Sequence, residues 1–290
     1  MNLTAGMIGT GRMAEVLGKA FSWDPKGLLR FRFFMGRDRQ RTKDLSSVLG
    51  ADALSFGDPL PRVDLLWIAV RDDALEEVAD GLARASWPEG PPKLVIHGSG
   101  AKGVEALKSF RNMGVPLGVL HPLFSLQVGM GMKGRLFILT GDPEARGLLE
   151  PLVRSIGARP RYIKNLNPAL YHCAASMLAN GTTALYAGGV ELLQKASAGA
   201  LGKEEAVLLM RASLEALEQG EPEEVLTGPV QRGDLETVAS HLASLEGQTG
   251  EQQKLYRALM GYALSLAAQG GLPEGLRRDL ELMLEWEGEA

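Results

Sequence analysis

Near the start of the chain stands Gly9-Thr10-Gly11-Arg12-Met13-Ala14, directly after the apolar run Leu3–Ile8 and directly before a helical pattern. This is the G-x-G-x-x-G/A form of a turn that takes the pyrophosphate of a dinucleotide. The first glycine permits a tight turn, the second lets backbone approach the phosphate, and the small Ala14 lets helix pack on strand. A helix starting there offers unpaired N–H groups and a partial positive charge, which places Thr10, Arg12 and Met13 with Gly9 and Gly11 at the cofactor.

The end of the second predicted strand bears on the choice of nucleotide. A fold that binds NAD carries an acid about 20 residues beyond the glycines to take the ribose 2′-hydroxyl. Here the chain reads Gly36-Arg37-Asp38-Arg39-Gln40-Arg41. Guanidinium groups stay charged and grip a phosphate through parallel hydrogen bonds, so Arg37 and Arg39 favour NADP(H). Two alternatives stay open. Asp38 could be the acid, displaced by one or two positions, and the arginines could be ordinary charges at a solvated helix start.

Other polar groups fall at predicted strand ends or at helical spacing. His97-Gly98-Ser99-Gly100 follows one apolar run and His121-Pro122-Leu123 follows another. In open α/β sheets ligands sit beyond the carboxyl ends of strands. His97 is accordingly expected at the substrate, Val70 and Ser99 at the cofactor, and His121 at the reacting group. A satisfied, half-buried side chain is the ordinary alternative for either histidine. Neither has carboxylate or cysteine neighbours at ligand spacing, so no metal site is expected. His172, Ser176 and Asn180 stand at i, i+4 and i+8, on one face of a helix. The ordinary alternative for that stripe is a polar seam satisfied by backbone or water.

The elements that would position these residues alternate through the first half. Strands are expected at Leu3–Ile8, Leu29–Met35, Asp64–Val70, Lys93–His97, Pro116–Leu120, Arg135–Leu139 and Arg159–Ile163. Helices are expected between them at Met13–Phe21, Arg39–Leu49, Ala74–Ala85 and Gly103–Arg111, and another starts at Asp142-Pro143. From Asn165 onward the pattern is helical. Pro168–Ser197 lacks an internal proline and is rich in alanine and glycine, so it is expected to be buried among helices, shared with a second subunit. The expected architecture is an α/β domain over 1–164 and an all-α domain over 165–290. A net charge of −4 argues against nucleic acid as the main partner, and the lone Cys173 excludes an internal disulfide. With no long apolar run and no basic leader, a cytoplasmic protein is expected.

Taken in order, Gly9-Thr10-Gly11, His97-Gly98-Ser99-Gly100, His121-Pro122-Leu123, Leu170-Tyr171-His172 and Leu226-Thr227-Gly228-Pro229…Arg232-Gly233-Asp234 resemble the Rossmann-like proteins with a DUF2520 C-terminal domain. These are relatives of the coenzyme F420-dependent NADP reductase, pyrroline-5-carboxylate reductase and ketopantoate reductase groups. The resemblance spans nearly the whole chain. It implies an NADP-binding Rossmann domain, a helical domain that dimerises, and a general oxidoreductase activity.

The dehydrogenase relatives place a lysine and an asparagine four residues apart on the first long helix. Asn180 fits the asparagine, Ser176 stands where the lysine would be, and His172, one turn earlier, is the substitute acid. The resemblance also implies that Thr227 or Arg232 contacts a substrate carboxylate, although Asp234 and Gly233 read as a helix cap and a turn. The expectation is therefore an NADPH-dependent reductase of a small oxo acid or imine, with ketopantoate the first substrate to test. Its cleft would lie between the sheet and the long helix, with Asn180 orienting the acceptor and His172 or His121 giving the proton. The rivals are an NADP(H)-binding regulator without redox chemistry and a deazaflavin-dependent NADP reductase.

Overall fold

The structure, a computed structural model, describes residues 3–24 and 26–287. Its apolar runs near the N-terminus become the middle of an eight-stranded sheet of order β3-β2-β1-β4-β5-β6-β7-β8. The strands are β1 (Leu3–Ile8), β2 (Leu29–Met35), β3 (Asp52–Leu54), β4 (Leu65–Ile68), β5 (Leu94–His97), β6 (Leu117–Pro122), β7 (Leu136–Gly141) and β8 (Arg159–Tyr162). All pairs from β3 across to β6 are parallel, β7 runs antiparallel to β6, and β8 is parallel to β7. The first six strands thus have the 3-2-1-4-5-6 order of a dinucleotide-binding sheet.

Both faces of that sheet are covered, which explains why β4 and β5 read as unbroken apolar runs instead of alternating ones. Helices α1 (Arg12–Ser22), α2 (Arg39–Leu49) and α4 (Pro143–Ser155) contribute Leu17, Phe21, Leu45 and Leu149 to one core. Helix α3 (Leu75–Ala83) and the segment Val104–Met113 contribute Leu75, Leu82, Leu107 and Phe110 to the other. Gly118 shows how tightly the first core is made. A Cβ there would stand 2.8 Å from the Ala145 Cβ on α4.

Several expectations need correction. The helical stretch expected at Gly103–Arg111 is Val104–Met113 and takes the 3₁₀ form. Its apolar residues Val104, Leu107, Phe110 and Met113 recur every three positions, the period at which 3₁₀ side chains eclipse. Strand β3 was missed because it is three residues long and half-exposed at the sheet edge. Strand β6 extends through His121 and Pro122, so His121 lies within a strand, not beyond it. Asp142 does not cap α4 through its side chain. Its carboxylate accepts the Leu117 N–H at 2.8 Å and pairs with Arg111 at 3.2 Å.

The chain contacts divide it into two units after Ala179. Strand gives way to helix earlier, between Tyr162 and Pro168, so α5 (Pro168–Ser176) groups with the sheet. A π-helical turn, Met177–Gly181, joins α5 to α6 (Thr182–Ala196). Beyond lie α7 (Lys203–Leu217), α8 (Pro222–Val225), α9 (Pro229–Arg232), α10 (Leu235–Leu245), α11 (Gly250–Gln269) and α12 (Glu274–Leu284). The second unit packs around Val230, Val238, Leu264, Leu280 and Leu284. The small residues of α6 do permit close approach at Gly188, where a Cβ would meet Leu255 of α11 at 3.2 Å. The expected burial does not occur within one chain, because no described residue of α5, the π turn or α6 is buried. Among the described residues no helix is long and apolar enough to cross a membrane.

Gly118→Ala forces a methyl group into the contact between β6 and α4. Overpacking of this kind costs about 1–3 kcal/mol, so the urea midpoint should fall relative to the unaltered protein.

Candidate functional site

The glycine turn has the geometry its sequence demands. Gly9 has φ +107°, and a Cβ on it would collide with the Ala69 carbonyl oxygen after β4, so only glycine fits. Gly11 caps α1, and a Cβ there would meet nothing within 4 Å, which leaves the helix N-terminus open to an approaching phosphate. Ala14 is fully buried between helix and strand.

Beside this turn lies a cavity of about 950 Å³. Of the expected cofactor residues, Gly9, Thr10, Gly11, Arg37 and Val70 line it, together with Arg41 and Arg71. Arg12, Arg39, Met13 and Ser99 are not among its lining residues. Arg39 is exposed at the first position of α2. Met13 is turned beneath the next strand end, its thioether filling the place a Cβ on Gly98 would take. Ser99 uses its hydroxyl oxygen to accept the Ala101 and Lys102 N–H groups.

The end of β2 distinguishes the nucleotides on steric grounds. A Cβ on Gly36 would stand 2.8 Å from the Thr10 hydroxyl and 2.9 Å from that of Thr42, so no acidic side chain fits there. Asp38, the alternative acid, caps α2 by accepting the Arg41 N–H at 3.0 Å. Arg41 approaches Glu15 of α1 at 3.8 Å, and Arg71 pairs with Asp73 at 2.7 Å. Among the described residues Arg37 has no carboxylate partner. The lining holds Arg37, Arg41 and Arg71 together with Asp38, Asp58, Asp73 and Glu77, and Arg37 is the guanidinium suited to a phosphate-bearing ribose.

Three histidines stand near the carboxyl ends of β5 and β6, two on those strands and His172 on α5. His97 is fully buried at the end of β5. Its Nδ1 accepts the Ser99 N–H at 3.1 Å and its Nε2 lies 3.0 Å from the Gly103 carbonyl oxygen, so the neutral Nε2–H tautomer satisfies both. Burial holds its pKa below the ordinary value. The substrate role expected for His97 is therefore corrected: both ring nitrogens serve the backbone of the turn at residues 98–103.

His121 and His172 do come together. Their ring centroids are 6.2 Å apart, and a Cβ on Gly100 would lie 2.7 Å from His121 Nε2 and 2.9 Å from His172 Cδ2. His121 Nδ1 forms a 2.6 Å hydrogen bond with the Tyr171 hydroxyl. Burial, reinforced by His172, lowers the His121 pKa to about 4, and burial raises that of Tyr171 to about 12. Both therefore stay neutral across the physiological range. Tyr171 was missed as a site residue. Its position directly before His172 was the only signal, and adjacent helical residues diverge by about 100°.

A pocket of about 220 Å³ opens against this pair, walled by His121, Tyr171, Ser99, Thr140, Lys102 and Lys164 among others. Lys102 pairs with Glu76 at 2.8 Å. Ser176 is half-buried one turn beyond His172. Asn180 lies in the π-helical turn, so the 3.6-residue spacing behind the expected stripe holds only as far as Ser176.

In the second unit Thr227 and Arg232 are both exposed, flanking Gly228 at φ +110°. Asp234 caps α10 by accepting the Thr237 N–H at 3.0 Å. His241, exposed on α10, bonds to the Tyr256 hydroxyl at 2.8 Å. Cys173 is exposed and unbridged.

Comparison with known proteins places this geometry in a class. Residues 1–122 match the model of the Rossmann-like domain, and residues 135–263 match that of the domain of unknown function DUF2520. The chain thus joins a Rossmann-like domain to a DUF2520 domain. No curated protein matches it in sequence. Among solved structures it is similar to a Bacteroides fragilis protein provisionally named an NADP oxidoreductase, at 22% identity over 91% of this chain and 98% of that one, with a TM-score of 0.74. A Thermotoga maritima protein is 23% identical over 91% and 98% of the two chains, with a TM-score of 0.65. The reductive aminase of Aspergillus terreus, solved with NADPH and ethyl-5-oxohexanoate, is 15% identical over 98% and 93%, with a TM-score of 0.57. Likeness at these identities establishes the fold.

The low pKa of His121 has a consequence for stability. Folding keeps it neutral, so as the pH falls the unfolded chain takes up a proton first. The stabilisation is complete above the ordinary value of 6.5 and is lost as the pH falls to about 4. At about 1.4 kcal/mol per pKa unit the loss is at most about 3.5 kcal/mol. Thermal melts across this window should slope less steeply for His121→Gln than for the unaltered protein. Equal slopes would assign the acid sensitivity elsewhere.

Proposed function

We propose that this protein is an NADPH-dependent oxidoreductase that reduces a small oxo acid or imine. The observation that carries the reading is that one sheet bears, at the carboxyl ends of its parallel strands, both a dinucleotide turn and a neutral histidine–tyrosine pair. Gly9, Gly11 and Thr10 would hold the pyrophosphate, and Arg37 and Arg41 the 2′-phosphate. The closed space at Gly36 supports NADP over NAD. The cofactor, when bound, supplies hydride to the acceptor carbon. His121 and His172 furnish the polar surface against which the reduced oxygen or nitrogen gains its proton, and Ser176 lies one turn beyond.

Asn180 is proposed to orient the acceptor, with Thr227 and Arg232 as candidates for its carboxylate. These assignments rest on the family resemblance, as does ketopantoate as the first substrate to test. Nucleotide binding is assigned to 1–164, and dimerisation, together with the contacts of Asn180, Thr227 and Arg232 to the substrate, to 165–290. The apolar side chains exposed on α6 and α7, among them Leu185, Leu208, Leu209 and Leu214, support a homodimer through the helical domain.

The test is NADPH consumption against oxo acids, cyclic imines and deazaflavins, with binding measured separately. Arg37→Ala should weaken NADPH at least tenfold, in line with the loss of a charge-assisted hydrogen bond of about 1.5–3 kcal/mol, while leaving NADH binding unchanged. His172→Ala and Asn180→Ala should lower turnover more than tenfold without altering NADPH affinity. Tight NADPH binding with no turnover of any acceptor would favour a sensing protein. Turnover of deazaflavins alone would favour a reductase of that cofactor.

A further inference from the structure

The pocket of about 220 Å³ is smaller than the sites that hold drug-sized ligands, about 300–1,000 Å³. It lies wholly within the first unit, walled by β6, β7, the turn after β5 and the start of α5. Val104, Val119 and Ile138 make part of its wall apolar, while Ser99, Thr140, His121 and Tyr171 bring hydroxyl and imidazole groups to it. Resting on the reductase reading above, we propose that this pocket receives a small carbonyl acceptor and that the Tyr171 hydroxyl, oriented by His121, is its proton donor.

The 2.6 Å bond between His121 Nδ1 and the Tyr171 oxygen is the central observation. When the imidazole carries its hydrogen on Nδ1, it donates to the phenol oxygen and leaves the phenol hydrogen free for an acceptor. Hydride arrival at the carbonyl carbon moves the C=O electron pair onto oxygen. That oxygen takes the Tyr171 proton, forming the alcohol. The phenolate so produced is stabilised by the His121 Nδ1–H until solvent returns a proton. His121 therefore acts through Tyr171 as a positioning residue and stays neutral throughout.

The surroundings suit a neutral donor. His121, with a pKa of about 4, is not an imidazolium at neutral pH, and Tyr171, with a pKa of about 12, keeps its proton until one is demanded. The groups that face the pair are His172 on α5 and Lys102, Lys164 and Asp142 in the pocket wall, with His97 and Asp72 acting on His121 through charge. Lys102 and Asp142 are committed to Glu76 and Arg111, which leaves Lys164 as the wall's unpaired cation among the described residues.

The experiment uses the whole chain with NADPH and 2-oxobutanoate as the probe. Tyr171→Phe keeps the ring and loses only the hydroxyl. It should lower kcat by about 10²-fold or more, the scale of general acid catalysis, with little change in KM. The unaltered protein should show a kcat independent of pH from about 6 to 9, whereas an imidazolium donor would lose rate as the pH rises through about 6.5. Independently of turnover, 2-oxobutanoate should shift the His121 ring resonance, assigned by its loss in His121→Gln.

An unchanged kcat in Tyr171→Phe, or a rate that falls through about pH 6.5, overturns the donor while the reductase reading stands. An unshifted His121 resonance overturns the pocket. A protein that binds NADPH but reduces none of the oxo acids, imines or deazaflavins overturns the reductase reading and the donor with it.

Discussion

The buried ring of His97 holds the turn on which both halves of the site depend. By accepting the Ser99 N–H and donating to the Gly103 carbonyl, it fixes residues 98–103 at the end of β5. Two glycines in that turn make its contacts possible. Gly98 receives Met13 from the first turn of α1, next to the dinucleotide loop, and Gly100 lies against His121 and His172. Without this histidine the turn would lose two of its internal anchors and keep only those of the Ser99 hydroxyl, which loosens the spacing between the nucleotide cavity and the histidine–tyrosine pair. The neutral state of His97 matters equally, because its Nδ1 must accept a hydrogen bond while its Nε2 donates one.

The histidine–tyrosine pair is built from uncharged groups, with Lys102, Lys164 and Asp142 in the pocket wall around it. His97 and His121 are both held neutral by burial, and Tyr171 is held protonated by the same cause. The cavity beside the glycine turn carries charge of both signs, with Arg37, Arg41 and Arg71 beside Asp38, Asp58, Asp73 and Glu77. A hydrogen bond between neutral groups in a low-dielectric pocket is directional, so it orients a proton without fixing a charge.

Much of the first unit was legible in its residues. A glycine demanded at position 9, an open face at Gly11 and a small residue at Ala14 follow from an apolar strand meeting a helical pattern, because each requirement is local. The helical segment Val104–Met113 is also written in the chain, with Val104, Leu107, Phe110 and Met113 at intervals of three, the 3₁₀ period. Strand β3 was not legible, since three half-exposed residues carry no periodicity. The role of Asp142 was misread because its partners Leu117 and Arg111 lie far from it in sequence.

What the sequence determined by itself was therefore the kind of turn, the succession of strands and helices, and the residue types available for chemistry, all governed by neighbours within a few positions. Only the tertiary structure decided which of those residues meet. It showed Gly36 closed by Thr10 and Thr42, Asp38 committed to a helix cap, and His97 consumed by backbone. It also brought Tyr171 onto His121, two residues 50 positions apart on a helix and a strand. The physical reason is that steric closure and burial depend on packing between distant segments, and these set which polar groups remain free to act.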